Sequence, residues 1–510
     1  MSITKALFCA GIVVVSAPHA QEYEFGSRIR LSDSANTGFS SGHTVVVESS
    51  LVVVVWMGTQ ESGNQPHIYS SRSANGGATF QAPVRVDSNP LGGWAWYPSL
   101  ALDSGGSLYC AWQESSATGL HAYCAKSTNG GQSYFQRARI DGPEGIFPQA
   151  PVLACDWLGV VYATWTDFPD TTLTSYAVFF AKSVDSGRTF SPAKRLSPDI
   201  PRLRAGVSTL AADRRGTVHV AWRDDREDIS RAYFHVYYTK STDGGSSFLP
   251  ETRVDLAGGT HGTFPSVAVD SAGTNIWIVY KDRSSGDHQV YLSRSTDGGA
   301  SFFGHTRVDS LQLGPSDVPN IAFAEPQRIF VTWHQANPSG TYPQVYFRCS
   351  FDGGTSFSGI YKLNTASSTH GGNPLLAADP QSSVYISWWE ARPTTYGVYF
   401  ASGFPRTGPI AEHPVGPVAG SAVRGPIPNP AAGKVCFSAA RAGDGIASLT
   451  VFNAAGRCVW FTDACSETIR WDLRTREGRR VSPGVYLYRC EVRHGGERPE
   501  HWRGTVTVIE

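Results

Sequence analysis

The sequence predicts an all-β protein: a seven-bladed β-propeller closed by its own N-terminal strand, followed by a small β-sandwich. Three observations predict it. An eight-residue signature opens at Ser73, Ser127, Ser183, Ser241, Ser295 and Ser350, so one supersecondary unit returns every 54 to 58 residues. Short β-branched and aromatic runs separated by turn residues flank each copy, in the manner of antiparallel strands. A strand of the repeat's outermost kind stands alone before the first unit, while the last unit lacks one. Composition agrees: 53 Gly, 31 Pro and 12% aromatic residues in 510 suit a turn-dense β chain with large side chains between its sheets.

The chain begins with the composition of an export signal, residues 1–20: Lys5, an apolar run from Ala6 to Ala17, then Ala20 before the polar Gln21 and Glu22. A secreted or cell-surface protein is expected, in which disulfides are permissible. No other stretch is long and apolar enough to span a bilayer, because Glu48-Ser-Ser50 interrupts the run from Val45 to Val55 and makes it a hairpin.

The repeat unit reads as four strands, A to D. Around Ser241 they are Val207 to Asp213, Thr217 to Trp222, His235 to Lys240 and Thr252 to Asp255, with the signature as the C–D hairpin. A seventh A-B-C set lies in Pro374 to Asp379, Val384 to Trp388 and Gly397 to Ala401, and no signature follows it. Its missing D strand is Ser27-Arg-Ile-Arg-Leu-Ser32, which matches Val84-Arg-Val-Asp87 and Thr306-Arg-Val-Asp309. Pairing these ends would close the ring and remove its exposed sheet edges. Six blades is the alternative count.

In the signature, Ser-x-Asp/Asn-x-Gly-x-Ser/Thr-aromatic, the short Asp or Asn side chain accepts from backbone N–H groups of the turn and Gly supplies a positive φ. The aromatic residue pins the hairpin to apolar neighbours. The pattern resembles the Asp-box, or bacterial neuraminidase repeat, of sialidase-like propellers, over residues 27–403. That resemblance implies a structural turn role, far from any ligand, for Asn75, Asn129, Asp185, Asp243, Asp297 and Asp352.

Cys110 and Cys124 fall on strands B and C of one blade, roughly symmetric about their loop, and could face each other as a disulfide. Cys155 and Cys349 read as small buried apolar residues. No Cys-x-x-Cys or His-x-x-x-His spacing points to zinc, so neither a metal nor a cofactor is expected. Basic and acidic residues balance at 43 each, which favours neither nucleic acid nor an anionic membrane as partner.

Residues 404–426 have the Pro- and Gly-rich composition of a linker. Beyond them, 427–510 read as a β-sandwich, with Pro428-Asn-Pro430 at its start and Gly484-Val-Tyr486 in a late strand. These features resemble the immunoglobulin-like domain of flagellar hook-capping proteins and of type IX secretion sorting domains. The resemblance implies contact with a cell surface or secretion machinery, although the ending Thr505 to Glu510 lacks the basic finish of sorting domains. Cys436, Cys458, Cys465 and Cys490 could form two bridges, Cys458 with Cys465 being natural across a hairpin.

Ligand chemistry is expected on the face opposite the signatures, where B–C and D–A loops gather around the channel mouth. B strands end in a phrase of aromatic, any residue, then acid: Trp112-Gln-Glu114, Trp165-Thr-Asp167, Trp222-Arg-Asp224, Tyr280-Lys-Asp282 and Trp388-Trp-Glu390. Recurrence in five blades suits a repeated support, with Trp packed between blades and the acid bonded to loop backbone or Arg. The alternative gives Glu114, Asp167, Asp224 and Asp282 to a ligand, with Trp94, Trp96 and Trp389 stacking on sugar rings. His43, His261 and His370 begin or precede A strands and are loop imidazoles bonded to backbone or, at the mouth, metal-binding or acid/base groups.

The sialidase resemblance adds a catalytic reading. Sialidases hold a carboxylate with three arginines and use a Tyr nucleophile activated by Glu. Arg226, Arg283 and Arg392 would then form the arginine cluster, with Glu390 and Tyr396 nearby. The family's first arginine opens blade 1 in an Arg-Ile-Pro phrase, whereas this chain has Ser41-Gly-His-Thr44 there. The function expected is therefore binding of a glycan or another extracellular polymer, with an exo-acting glycoside hydrolase of sialidase type, or a structural or adhesive surface protein, as alternatives.

Overall fold

The computed structural model describes residues 23–405 and 423–508, except for short connecting segments of which 33–41 is the longest. The export signal, most of the linker and Cys465 lie outside the described residues, as do the side chains of His43, Arg392 and Cys490. Two compact units divide at Arg406 and Thr407. Neither contains a helix among the described residues, and none is long and apolar enough to cross a membrane.

The first unit is a seven-bladed β-propeller. Six blades are four-stranded meanders in the order A-B-C-D, from Gly42–Val47 in blade 1 to Tyr361–Lys362 in blade 6. Blade 7 takes its first three strands from His370–Ala378, Val384–Arg392 and Thr395–Pro405. Its fourth is the N-terminal strand: Ile29 pairs with Phe400 and Arg30 with Tyr399, and Leu31 N–H donates to the Val398 carbonyl at 2.8 Å. A second short strand, Tyr23–Phe25, pairs with the far end of the same partner, Tyr23 opposite Pro405. The A strands of consecutive blades touch one another around a full circle, blade 7 against blade 1, and so form the channel wall.

Large aromatic side chains at one repeat position fill the gaps between blades. Trp56, Trp112, Trp165, Trp222, Tyr280, Trp333 and Trp388 occupy it in blades 1 to 7, all buried. The signature turns join neighbouring blades as well as C to D. Gly245 packs on Phe180 of the preceding blade, and Phe248 meets the same ring edge-on at 5.0 Å. Phe80 on Phe400 and Phe302 on Tyr238 repeat that contact.

The Cys110–Cys124 pairing is corrected. Cys110 lies opposite Ala125 and Cys124 opposite Ala111, so the two are one residue out of register and project to opposite faces of the blade. Both are buried free thiols, in the cores on either side of the sheet. Cys349 is buried and free, and Cys155 is partly buried against an adjacent core.

The second unit has two sheets around one core. Val423–Ile427, Val435–Ala439 and Thr468–Trp471 make the first; Cys458–Thr462, Gly445–Phe452, Gly484–Arg493 and Glu500–Val508 make the second. Phe437, Leu449, Val451, Trp471, Tyr486, Tyr488 and Val506 lie between them. The segment read as linker is narrower than expected: Phe404 and Pro405 continue blade 7, and Val423–Ile427 is a strand despite its Gly and Pro, where the pairing shifts register.

Candidate functional site

The inner end of each blade on the loop face is built by two repeated devices. The A strand carries a bulge in blades 2 to 7, each with a non-glycine residue in the left-handed region: Tyr97, Ala150, Val207, Phe264, Val318 and Asn373. Branched residues such as Val207 and Val318 adopt that backbone only at a cost, about 1–3 kcal/mol each, which the surrounding ring must hold in place. The residue just before the bulge pairs with the middle residue of the B-strand phrase: Trp96 with Gln113, Gly206 with Arg223, Thr263 with Lys281, Asp317 with His334, Gly372 with Trp389.

The carboxylates of that phrase turn into the blades, as the support reading expects. Glu114, Asp167, Asp224, Asp282 and Glu390 are at most 3% exposed. Glu114 accepts from the Trp112 indole at 2.7 Å and pairs with Arg137. Asp224 accepts from the Trp222 indole at 2.9 Å, and Asp167 accepts from the backbone N–H groups of Phe147 and Phe168 at 2.7 Å. Burial raises the Asp167 carboxyl to about 6 and outweighs those two bonds.

Two residues of the expected catalytic cluster are held the same way. Glu390 accepts from Arg28 at both of its oxygens, each at 2.7 Å, and from the Trp388 indole at 2.9 Å. Arg226 is bonded to Asp224 at 2.6 Å and stacks over Tyr237 at 3.8 Å. Each charge is answered inside its own blade, so neither offers a free group to a sugar. Arg283 is exposed, bonds the Gly286 carbonyl of its own loop at 3.2 Å, and adds to the lowering of the His288 imidazole that burial and then Lys281 mainly cause. Tyr396 faces Trp389, ring centroids 6.5 Å apart.

Apart from Trp389, the middle residues, which alternate to the other side of the strand, are missed by reading the phrase for its recurring members. Their signal was variability within a fixed frame: Met57, Gln113, Thr166, Arg223, Lys281, His334 and Trp389 share one repeat position. Arg223 reaches the A strand of blade 5, donating to Thr263 Oγ1 at 2.7 Å, with the rings of Phe234 and Phe264 at 4.4 and 5.5 Å. Lys281 pairs with Asp317 of blade 6 at 2.8 Å and lies 4.9 Å from the Phe264 ring. His334 Nδ1 accepts from Asn373 N–H of blade 7 at 3.3 Å. Arg204, from the connection into blade 4, pairs with Asp225 at 2.8 Å and lies over Phe234 at 4.9 Å.

Imidazoles border these cations. His261 stands 5.8 Å from His288 and 5.6 Å from Phe234. Burial first, then the charges of His288, Lys281 and Arg223, brings His261 down to about 4; burial, and less strongly Lys281, brings His334 down to about 4. Both are neutral at pH 7. His370 begins the blade 7 A strand, partly buried. On blade 2, Trp94 and Trp96 stack at 3.6 Å, and Tyr97 beside them is 51% exposed. No group of three or more metal-binding side chains occurs among the described residues.

No protein-family model and no curated protein matches this chain. Solved structures do. A polysaccharide lyase of family PL25, an ulvan lyase, is 14% identical over 73% of this chain and 95% of its own, with a TM-score of 0.52. The same type of enzyme bound to -[GlcA(1-4)Rha3S]- gives 0.51 at 15% identity, over 73% and 95%. The intramolecular trans-sialidase from Ruminococcus gnavus gives 0.42 at 11% identity, over 75% and 98%. At such identities the likeness is one of fold.

Proposed function

We propose that this chain is an extracellular glycan-binding protein that holds its ligand on the loop face of the propeller. The observation that carries the reading is the make-up of that face: stacked Trp94 and Trp96 with exposed Tyr97 on one side, Phe234, Phe264 and exposed Tyr233 among polar and charged side chains on the other. Flat aromatic surfaces beside hydrogen-bonding groups suit sugar rings, which present apolar faces and hydroxyl edges. The fold neighbour that binds -[GlcA(1-4)Rha3S]- supports a polysaccharide as the kind of ligand. Binding is favoured over sialidase-type hydrolysis because Glu390, the residue expected to activate Tyr396, is buried and fully engaged by Arg28 and Trp388. Export through the N-terminal signal, and contact with a cell surface or secretion machinery through the Asp-box propeller's immunoglobulin-like partner domain, belong to the same proposal.

Incubation of the purified chain with sialosides and with neutral and acidic oligosaccharides, recording both retention and release, tests the reading. Retention without release is the expected result, and Trp96→Ala should weaken it. Release of free sugar would make the protein an enzyme, and no retention of any member would overturn the proposal.

A further inference from the structure

From the arc formed by Arg204, Arg223 and Lys281 we infer that the ligand is an acidic polysaccharide, whose carboxylate or sulfate groups are held at the inner ends of blades 4 and 5. The inference rests on the glycan-binding reading above and names the ligand's class.

Arg223 carries the argument. Among the described residues no carboxylate lies within ion-pair distance of its guanidinium, which donates to a threonine hydroxyl and lies over two aromatic rings. Other arginines of the loop face show the usual solution, Arg204 with Asp225, Arg226 with Asp224 and Arg28 with Glu390. A partly buried cation without a counter-charge is costly, and an anionic group arriving beside it gains both charge and directed hydrogen bonds. Burial, which Tyr176 and Asp317 offset only in part and to which Arg204 adds, holds the Arg223 guanidinium below its ordinary value.

The surroundings extend the same preference. Lys281 neutralises Asp317, as Arg204 neutralises Asp225, so neither carboxylate repels an incoming anion fully. His288 Nδ1 is a buried ring nitrogen without a hydrogen-bond partner among the described residues, and it sits 5.8 Å from His261 between the two blades. Phe264, in the strained bulge, has both Arg223 and Lys281 over its ring and so gathers two cations at one place. These residues come from strand ends and loops of blades 4 to 6, which a polymer crossing the mouth would touch in succession.

The test is affinity electrophoresis of the whole chain in gels containing polygalacturonate, carrageenan, or neutral xyloglucan and laminarin. We expect retardation by one or both acidic polymers, weakening as salt rises. Arg223→Gln and Lys281→Gln should each bind about tenfold or more weakly, with melting unchanged. Arg223→Lys, which keeps the charge without the fork, guards against a folding defect and should bind between the two. Arg188→Gln, an equal loss of charge on a signature turn, should bind as the wild type does. Retardation by the neutral polymers alone, untouched by Arg223→Gln, would overturn this inference and leave glycan binding standing. Equal loss in Arg188→Gln, or equal retardation by single-stranded DNA, would reduce the effect to nonspecific charge and also overturn it. No retardation by any polymer would overturn both.

Discussion

Each signature turn is held by three side-chain functions at fixed offsets. In blade 4 the Ser241 hydroxyl accepts from Gly245 N–H at 2.7 Å and donates to Asp243 Oδ1 at 2.7 Å; Oδ1 also accepts from Ser247 N–H at 2.8 Å and Oδ2 from its hydroxyl. Gly245 has φ +81°, and a Cβ there would stand 2.5 Å from Phe180. Gly245→Ala should therefore destabilise the propeller by about 1–3 kcal/mol, measured by urea denaturation, because backbone strain and inter-blade overlap act together. Donors surrounding the carboxylates lower Asp185 to about 2 and also depress Asp243 and Asp297; Asp352 is lowered too, its hydrogen bonds outweighing burial. Carboxyls depressed in the folded state contribute stability fully above their unfolded value, about 3.9, and lose it as pH falls through the folded one. Melting temperature should drop between pH 4 and pH 2, and less steeply in an Asp243→Asn, Asp297→Asn variant. Blades 1 and 2 already show that Asn serves, Asn75 and Asn129 each donating from Nδ2 to the Thr79 or Ser133 hydroxyl at 2.9 Å.

At the scale of the strand, alternation divides one phrase between two tasks. In the five B strands that carry the acid, it shares a face with the aromatic residue and builds the blade, while the residue between them turns to the neighbouring A strand and the mouth. Repetition therefore marks support, and variation marks the candidate site. His334 and His261 carry a pH signature of this arrangement. Their folded values near 4 lie below the unfolded value of about 6.5, so their contribution is complete above pH 6.5 and is lost as pH falls toward 4. Asp167, raised to about 6, works in the opposite direction over an overlapping range. Thus the informative measurement is a difference: the loss of melting temperature from pH 7 to pH 5 should be smaller in His334→Gln and in His261→Gln than in the wild type. An equal loss in both variants would show that these imidazoles are not what titrates.

The whole ring depends on closure between residues more than 360 positions apart. Ile29 and Arg30 supply the backbone pairing, and Arg28 supplies the counter-charge for Glu390, which is 1% exposed. Arg28→Ala should cost about 3–5 kcal/mol, because it leaves a buried carboxylate unpaired, and Glu390→Gln in that background should recover part of the loss, read by the same denaturation. Tyr23 extends the seal by donating its hydroxyl to the Ser382 carbonyl at 2.7 Å and packing on Phe330 and Phe347 of blade 6.

Blade number, strand order and the closing segment were legible because a repeated turn with one chemical solution leaves the same residues at the same offsets in every copy. Matching Ser27 to Ser32 with the D strands rests on the same local rule. Register was not legible in that way. Whether Cys110 meets Cys124 depends on a one-residue offset that loop symmetry does not specify, and the strand Val423–Ile427 owes its existence to partners rather than to its own Gly and Pro. The candidate site shows the difference most plainly. From the chain alone the acids of the B-strand phrase and the arginines after them read either as supports or as ligand contacts, since nothing local tells a paired charge from a free one. Arg28 reaches Glu390 across the chain's length, and Arg223 meets Thr263 and Phe264 on the next blade, only once the ring has closed. Local sequence determined the repeating unit and its count, because turns and alternation are short-range; the tertiary structure alone decided which charges are answered, because that is a property of neighbours distant along the chain.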